Sequence, residues 1–171
     1  ISHILKVEDH ASSTYISVLD ENGDMFVALS DMSVLQEMTV DFIHSKSSII
    51  KGSRLITCDP ALHPDVMEEI LNLYSDTIPV FVDPVSCAYA ETIVDFIGKF
   101  HTAKPNILET EILSGMKIKS KKDLYKAAEK ILDKGLKRIF ISLGADGCLY
   151  MDREGKHIER KLAPVEHMVN A

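Results

Sequence analysis

No stretch of this 171-residue chain stays apolar for the roughly 20 residues that a bilayer crossing requires. No basic-then-apolar leader opens it either, so a cytoplasmic protein with no membrane partner is expected. Cysteine is scarce. The three present, Cys58, Cys87 and Cys148, are odd in number, far apart and set in apolar segments. That pattern excludes a disulfide framework and the closely spaced pairs of a zinc site, and it predicts free buried thiols in a reducing compartment. The chain also lacks a basic face. Its net charge is −7, and the only lysine cluster, Lys117, Lys119, Lys121 and Lys122, flanks a predicted helix start where such side chains face solvent. Nucleic acid is therefore not an expected partner. There is no Gly-x-Ser-x-Gly hydrolase elbow, no Walker-type phosphate loop and no histidine triad for a metal. Internal repeats and low-complexity linkers are absent too.

What is present is an ordinary globular composition, with 46% hydrophobic and 26% charged residues. Residues 1–31 read as lid strands. Thr14 to Leu19 and Met25 to Leu29 are β-branched and apolar, and Asn22-Gly23 between them is a strong hairpin signal. Ile4, Leu5 and Val7 are expected to form a partner strand. A helical pattern follows through Val34, Leu35 and Met38, and a second helix starts at Thr39.

Residues 32–171 read as an α/β core portion. Strands are predicted over 54–58, 78–82 and 138–143. Between them lie helices carrying Val66, Met67, Ile70, Leu71 and Tyr74, then Ile93, Phe96 and Ile97, then Leu124, Ala127, Ala128, Ile131 and Leu132 at helical spacing. Asn106 opens a further helix that Gly115 closes, and Gly135 stops the last one. Two short strands joined by Asp152-Arg153-Glu154-Gly155 end the pattern. Alternating strands and helices imply a mainly parallel sheet covered on both faces, in one domain over 1–171.

Ligands of such sheets bind outside the carboxyl ends of the strands. Asp59, Asp83, Asn106 with Glu109, and Ser142 with Gly144 and Gly147 all fall at that edge. Each has an ordinary reading. An Asn followed three residues later by Glu is a capping box, glycines make tight turns, and Asp-Pro forms turns. The chemical reading of Asn106 and Glu109 is a polar pair at a helix N-terminus that faces phosphate and a hard cation. The two readings are compatible.

Together the stretches PVFVDPVS (79–86), KPNILETEILSG (104–115), SLGADG (142–147) and PVEHMVNA (164–171) resemble the ribokinase (PfkB) family of carbohydrate and nucleoside kinases, in family order. The second is similar to the Pro-Asn-x-x-Glu signature and the third to the nucleotide-contacting Gly-x-x-Gly turn. Val169-Asn170-Ala171 resembles the residues preceding the Thr-Gly-Ala-Gly-Asp signature. Within the family, the run SSTYISVLDENGDMFVALSDM (12–32) is most similar to the pseudouridine-kinase branch.

The resemblance implies a ribokinase-like three-layer α/β fold with a small N-terminal β lid. It implies phosphoryl transfer from ATP, with Mg2+, to the 5′-hydroxyl of a nucleoside, and a monovalent cation such as K+ as a further cofactor. On the residue match, Asn106 and Glu109 would organise the metal and the transferring phosphate. Ser142, Gly144 and Gly147, with Asn106, would line the nucleotide, and Thr14 and Asp31 would contact the substrate. A homodimer through the lid is expected. The family's N-terminal Gly-Gly substrate loop has no counterpart before Ile1, and the Gly-Ala-Gly-Asp segment with the general base would begin after Ala171. The chain is thus expected to be an incomplete segment, inactive alone. The alternatives are a sugar kinase acting on ribose, fructose or another nucleoside, and a truncated, non-catalytic interaction protein.

Overall fold

The computed structural model describes residues 3–21 and 25–163. The Asn22-Gly23 turn and the 164–171 stretch lie outside the described residues. Strands β1 (Thr14–Leu19) and β2 (Met25–Asp31) pair antiparallel as a two-stranded ribbon, Thr14 opposite Asp31. Among the described residues the expected third strand is not there. Ile4, Leu5 and Val7 are irregular, and Asp9 after them adopts a φ of 63°. The ribbon leaves its apolar side chains in solvent, with Phe26 80% and Leu29 65% exposed.

Next comes a 3-10 turn (Ser33–Glu37) where a helix is predicted, then two short helices, α1 (Val40–Ser45) and α2 (Ser47–Lys51). Thr39 starts α1 by accepting the Phe42 N–H at 3.2 Å.

Among the described residues six strands form the main sheet: β3 (Ile56–Cys58), β4 (Val80–Val82), β5 (Thr102–Ala103), β6 (Arg138–Ser142), β7 (Cys148–Asp152) and β8 (His157–Arg160). They lie side by side in chain order. The first four are parallel, β7 runs antiparallel to β6, and β8 runs antiparallel to β7. The predicted 54–58, 78–82 and 138–143 strands therefore share one sheet, and the two-residue β5, which no periodicity reveals, joins them.

The crossovers carry α3 (Pro64–Tyr74), then α4 (Cys87–Ile93) with a 3-10 extension (Val94–Lys99), then α5 (Ile107–Ser114) and α6 (Lys121–Asp133). Pro64 suits the first turn of α3 because its missing N–H would have no partner there. Ser120 caps α6 by accepting the Asp123 N–H, and the Asp123 carboxylate returns to the Ser120 hydroxyl at 2.8 Å. Gly115 ends α5 in the left-handed conformation, φ 65°, as Gly at that position does.

Parallel crossovers are right-handed, so a sheet that grows in one direction receives its helices on one face. Burial agrees. Val80, Val82, Ile139, Ile141 and Leu149 are fully buried against Leu71, Ile97, Leu113 and Ile131, each buried side chain contributing about 1.5–3 kcal/mol. On the opposite face Thr57 and Phe140 are exposed, and Phe81 and Tyr150 half-buried. Among the described residues, the expected covering of both faces is thus met on one.

The cysteines also divide. Cys58 is buried, with its thiol pushed up to about 12, first by burial and then by the adjacent Asp59, so it is inert. Cys148 is half-buried. Cys87, in the first turn of α4, is exposed, contrary to expectation.

Candidate functional site

The carboxyl ends of β3, β4, β5 and β6 present Asp59, Asp83, Asn106 and Ser142 along one edge. Asp59 Oδ1 accepts the Ala61 N–H at 2.9 Å, the turn chemistry expected of an Asp-Pro corner. Asp83 does more than turn the chain. Its Oδ1 is 3.4 Å from the Val85 nitrogen, and its Oδ2 is 2.8 Å from Lys104 Nζ. Lys104 was not legible as a site residue, since the sequence shows only a lysine before Pro105.

At β5 the strand runs directly into a complete capping box. The Asn106 side chain accepts the Glu109 N–H at 2.9 Å, Glu109 Oε2 accepts the Asn106 N–H at 2.8 Å, and Asn106 Nδ2 donates to Glu109 Oε1 at 2.9 Å. Glu109 is only 2% exposed. Burial raises its pKa above the usual carboxylate range. The Asn106 N–H pulls it back, Asp83 raises it further, and Lys104 lowers it. The capping reading is thus fulfilled, and a buried carboxylate beside a half-exposed ion pair is present as well.

The last strand end is tied to the same group. Asn106 and Ser142 form an isolated parallel bridge, and the Ser142 N–H donates to the Pro105 carbonyl at 2.9 Å. Beyond Ser142, a 3-10 turn (Gly144–Asp146) closes with the Leu143 N–H on the Gly147 carbonyl at 2.8 Å. Its two glycines differ. A Cβ at Gly147 would fall 1.9 Å from the Arg160 carbonyl oxygen, so packing against the end of β8 alone demands glycine there. Gly144, at φ 60°, has nothing within 4 Å of its Cβ direction. It is the one that faces open space.

Two hollows flank the edge. One of about 270 Å³ is lined by Thr57, Asp59, Phe81, Asp83 and Val85. The other, about 610 Å³, adjoins the glycine turn and is lined by Ile107, Leu143, Asp146, Lys121 and Arg160 among others, within the range of small-molecule sites.

The donor set bears on a metal. Among the described residues no three His, Cys, Asp or Glu converge to hold an ion. Both Glu109 oxygens already accept from Asn106, while Asp83 remains half-exposed at 36%. The residues fit a hard cation held through water and shared with a ligand's phosphates, the usual manner of Mg2+, rather than a cage built by protein alone.

Thr14 and Asp31 face each other across the outermost rung of the ribbon, on a different sheet from the Asn106 group. The Thr14 hydroxyl donates to the Ser12 carbonyl at 3.3 Å, and Asp31 Oδ1 accepts the Ser33 N–H at 3.0 Å.

A mainly parallel α/β sheet with its polar rim at the strand ends, beside a small antiparallel ribbon, defines the ribokinase-like class of proteins. The pfkB family carbohydrate kinase profile matches residues 1–170, and the chain belongs to that family. It is 33% identical over 156 residues to pseudouridine kinase of Escherichia coli (strain K12), covering 91% of this chain and 50% of that protein. Among solved structures, a candidate sugar kinase from Clostridium perfringens is 41% identical with a TM-score of 0.69, over 82% of this chain and 44% of that one. Ribokinase from Thermotoga maritima shares the fold at TM-score 0.72 and 19% identity, over 91% of this chain and 50% of its own. The chain spans about half the length of the curated relatives it matches.

Proposed function

We propose that the whole protein transfers a phosphoryl group from ATP to the 5′-hydroxyl of a nucleoside, with pseudouridine as the acceptor. The observation that carries the reading is the joining of the Asn106–Glu109 box to the Ser142–Gly147 turn through the Asn106–Ser142 bridge, at the edge where such sheets bind ligands. Pseudouridine rests on the 33% identity to a pseudouridine kinase.

In this reading Ser142 and Gly144 bind the nucleotide: a hydroxyl to donate and a glycine with open space above it. Gly147 holds the turn against β8 so that Gly144 stays in place. Asn106 and Glu109 orient the metal's water shell, and the box that caps α5 keeps both side chains fixed. A bound Mg2+ would neutralise charge on the transferring phosphate. Phosphoryl transfer depends mainly on such positioning and charge stabilisation. Thr14 and Asp31 contact the sugar from the ribbon, and the protein works as a homodimer paired through the ribbon. The general base is assigned to none of the described residues.

The test uses the whole protein, with ATP, Mg2+ and a panel of pseudouridine, uridine, ribose and fructose. Pseudouridine should be preferred. Asn106→Ala should reduce turnover by roughly ten- to a thousand-fold, the scale for losing one electrostatic group, and Asn106→Ser, which keeps the cap, should restore stability but not rate. If Asn106→Ser restores both, the box is only a cap. Faster phosphorylation of ribose or fructose than of pseudouridine would keep the kinase and discard the acceptor.

A further inference from the structure

One pairing at the site is explained by neither the cap nor the turns. Lys104 Nζ lies 2.8 Å from Asp83 Oδ2 across the ends of β4 and β5, with the two side chains 45% and 36% exposed. Half-exposed ion pairs of this kind contribute little to folding. We propose that Asp83 is a positioning residue that acts through Lys104, holding its ammonium beside the Asn106–Glu109 box until the terminal phosphates of the bound nucleotide take it over. This rests on the phosphotransferase reading above.

Both ends of the pair are anchored. The Lys104 N–H donates to the Val82 carbonyl at 3.0 Å, and Pro105 behind it restricts Lys104 to extended backbone. The lysine stem therefore leaves from a fixed point two residues before Asn106. Asp83 is held by a strained turn. Val85 has a φ of 64°, which β-branched residues rarely adopt, and the Ser86 N–H closes on the Pro84 carbonyl at 2.6 Å. Strain of this kind collects at working sites.

The charges fit a swap of partners. Asp83 and the buried Glu109 set two carboxylates against one ammonium. A lysine head is a mobile point charge, and charge-assisted bonds to phosphate are at least as good as those to carboxylate. Because Asp83 is partly in water, it can be left without a partner at small cost, whereas a fully buried carboxylate could not. An arriving triphosphate thus finds a cation that is already localised.

The test measures Mg–ATP binding by calorimetry, and ATP kinetics, in the whole protein. Lys104→Met should weaken Mg–ATP binding about tenfold or more and leave adenosine binding unchanged, and Lys104→Arg should stay within about threefold of the parent. Asp83→Asn should raise the KM for ATP about three- to tenfold with kcat within about twofold. The double variant Asp83→Asn, Lys104→Met should bind no more weakly than Lys104→Met alone, since residues acting as a unit are non-additive. Parent-like binding by Lys104→Met, or additive losses in the double variant, would overturn the proposal. Lysine-dependent Mg–ATP binding without phosphorylation of any nucleoside or sugar would uphold it while removing the kinase reading. A parent protein that does not bind Mg–ATP removes both.

Discussion

His101 enters β5 with its Nδ1 2.8 Å from the Thr102 hydroxyl, and its imidazolium is unwelcome there. Burial lowers its pKa, and the charges of Arg138 and Lys137 lower it further. The folded state therefore prefers the neutral ring. The stability tied to this preference is fully present above the ordinary histidine value of about 6.5 and is lost as pH falls through the depressed folded value. Melting temperature should therefore fall as pH is lowered below about 6.5, and His101→Gln should flatten that fall. A variant with an unchanged pH slope would show that other groups carry it. The site was legible at this scale only where its geometry is local. Asn106 and Glu109 are three residues apart on one helix turn, so spacing alone placed them together. The Lys104–Asp83 pair needs β4 and β5 to be neighbours, and a two-residue strand leaves no periodic trace. Which glycine of the 142–147 turn faces space and which faces β8 is likewise decided by where β8 ends.

One tight joint between elements lies between the 3-10 extension after α4 and the end of α6. A Cβ on Gly98 would lie 2.0 Å from the Lys134 carbonyl oxygen, and one on Gly135 2.6 Å from the Gly98 carbonyl oxygen. Lys134 adds a bond from its Nζ to the Leu113 carbonyl at 2.6 Å, tying the end of α5 to the same joint. Gly98→Ala should cost roughly 1–3 kcal/mol or more, the scale of overpacking, read as a lower urea midpoint with an unchanged slope. Gly52→Ala is the control. Its Cβ would meet only ordinary contacts, 3.5 Å at the nearest, and it should be close to neutral. Equal losses in the two variants would mean that the joint is not special. The helices themselves were legible, since α3 and α6 carry their apolar residues at helical spacing and have recognisable starts. The joint was not, because Gly98 sits inside an apolar helical pattern and its partner is far along the chain.

For the whole molecule, the exposed ribbon is the feature that asks for a partner. A two-stranded sheet is marginal alone, and Ile16, Phe26 and Leu29 are more than half exposed. We expect the whole protein to sediment as a dimer near ten micromolar, roughly the range of weak association, and Phe26→Asp with Leu29→Asp to yield monomers. A parent that sediments as a monomer there would refute the pairing. The order of the main sheet has a different consequence, for how the molecule is made. Because β3 to β8 lie side by side in chain order, each strand leaving the ribosome meets an edge that is already finished. Among the described strands nothing has to be threaded between strands laid down earlier. Synthesis at about 5–20 residues per second is slow beside hairpin closure, so the β6–β7–β8 meander should form within seconds of its emergence. The polar rim would then be built one strand end at a time, with Asp59 first and Ser142 last, and the two glycines of the 142–147 turn would settle only when β8 arrives to fix Gly147.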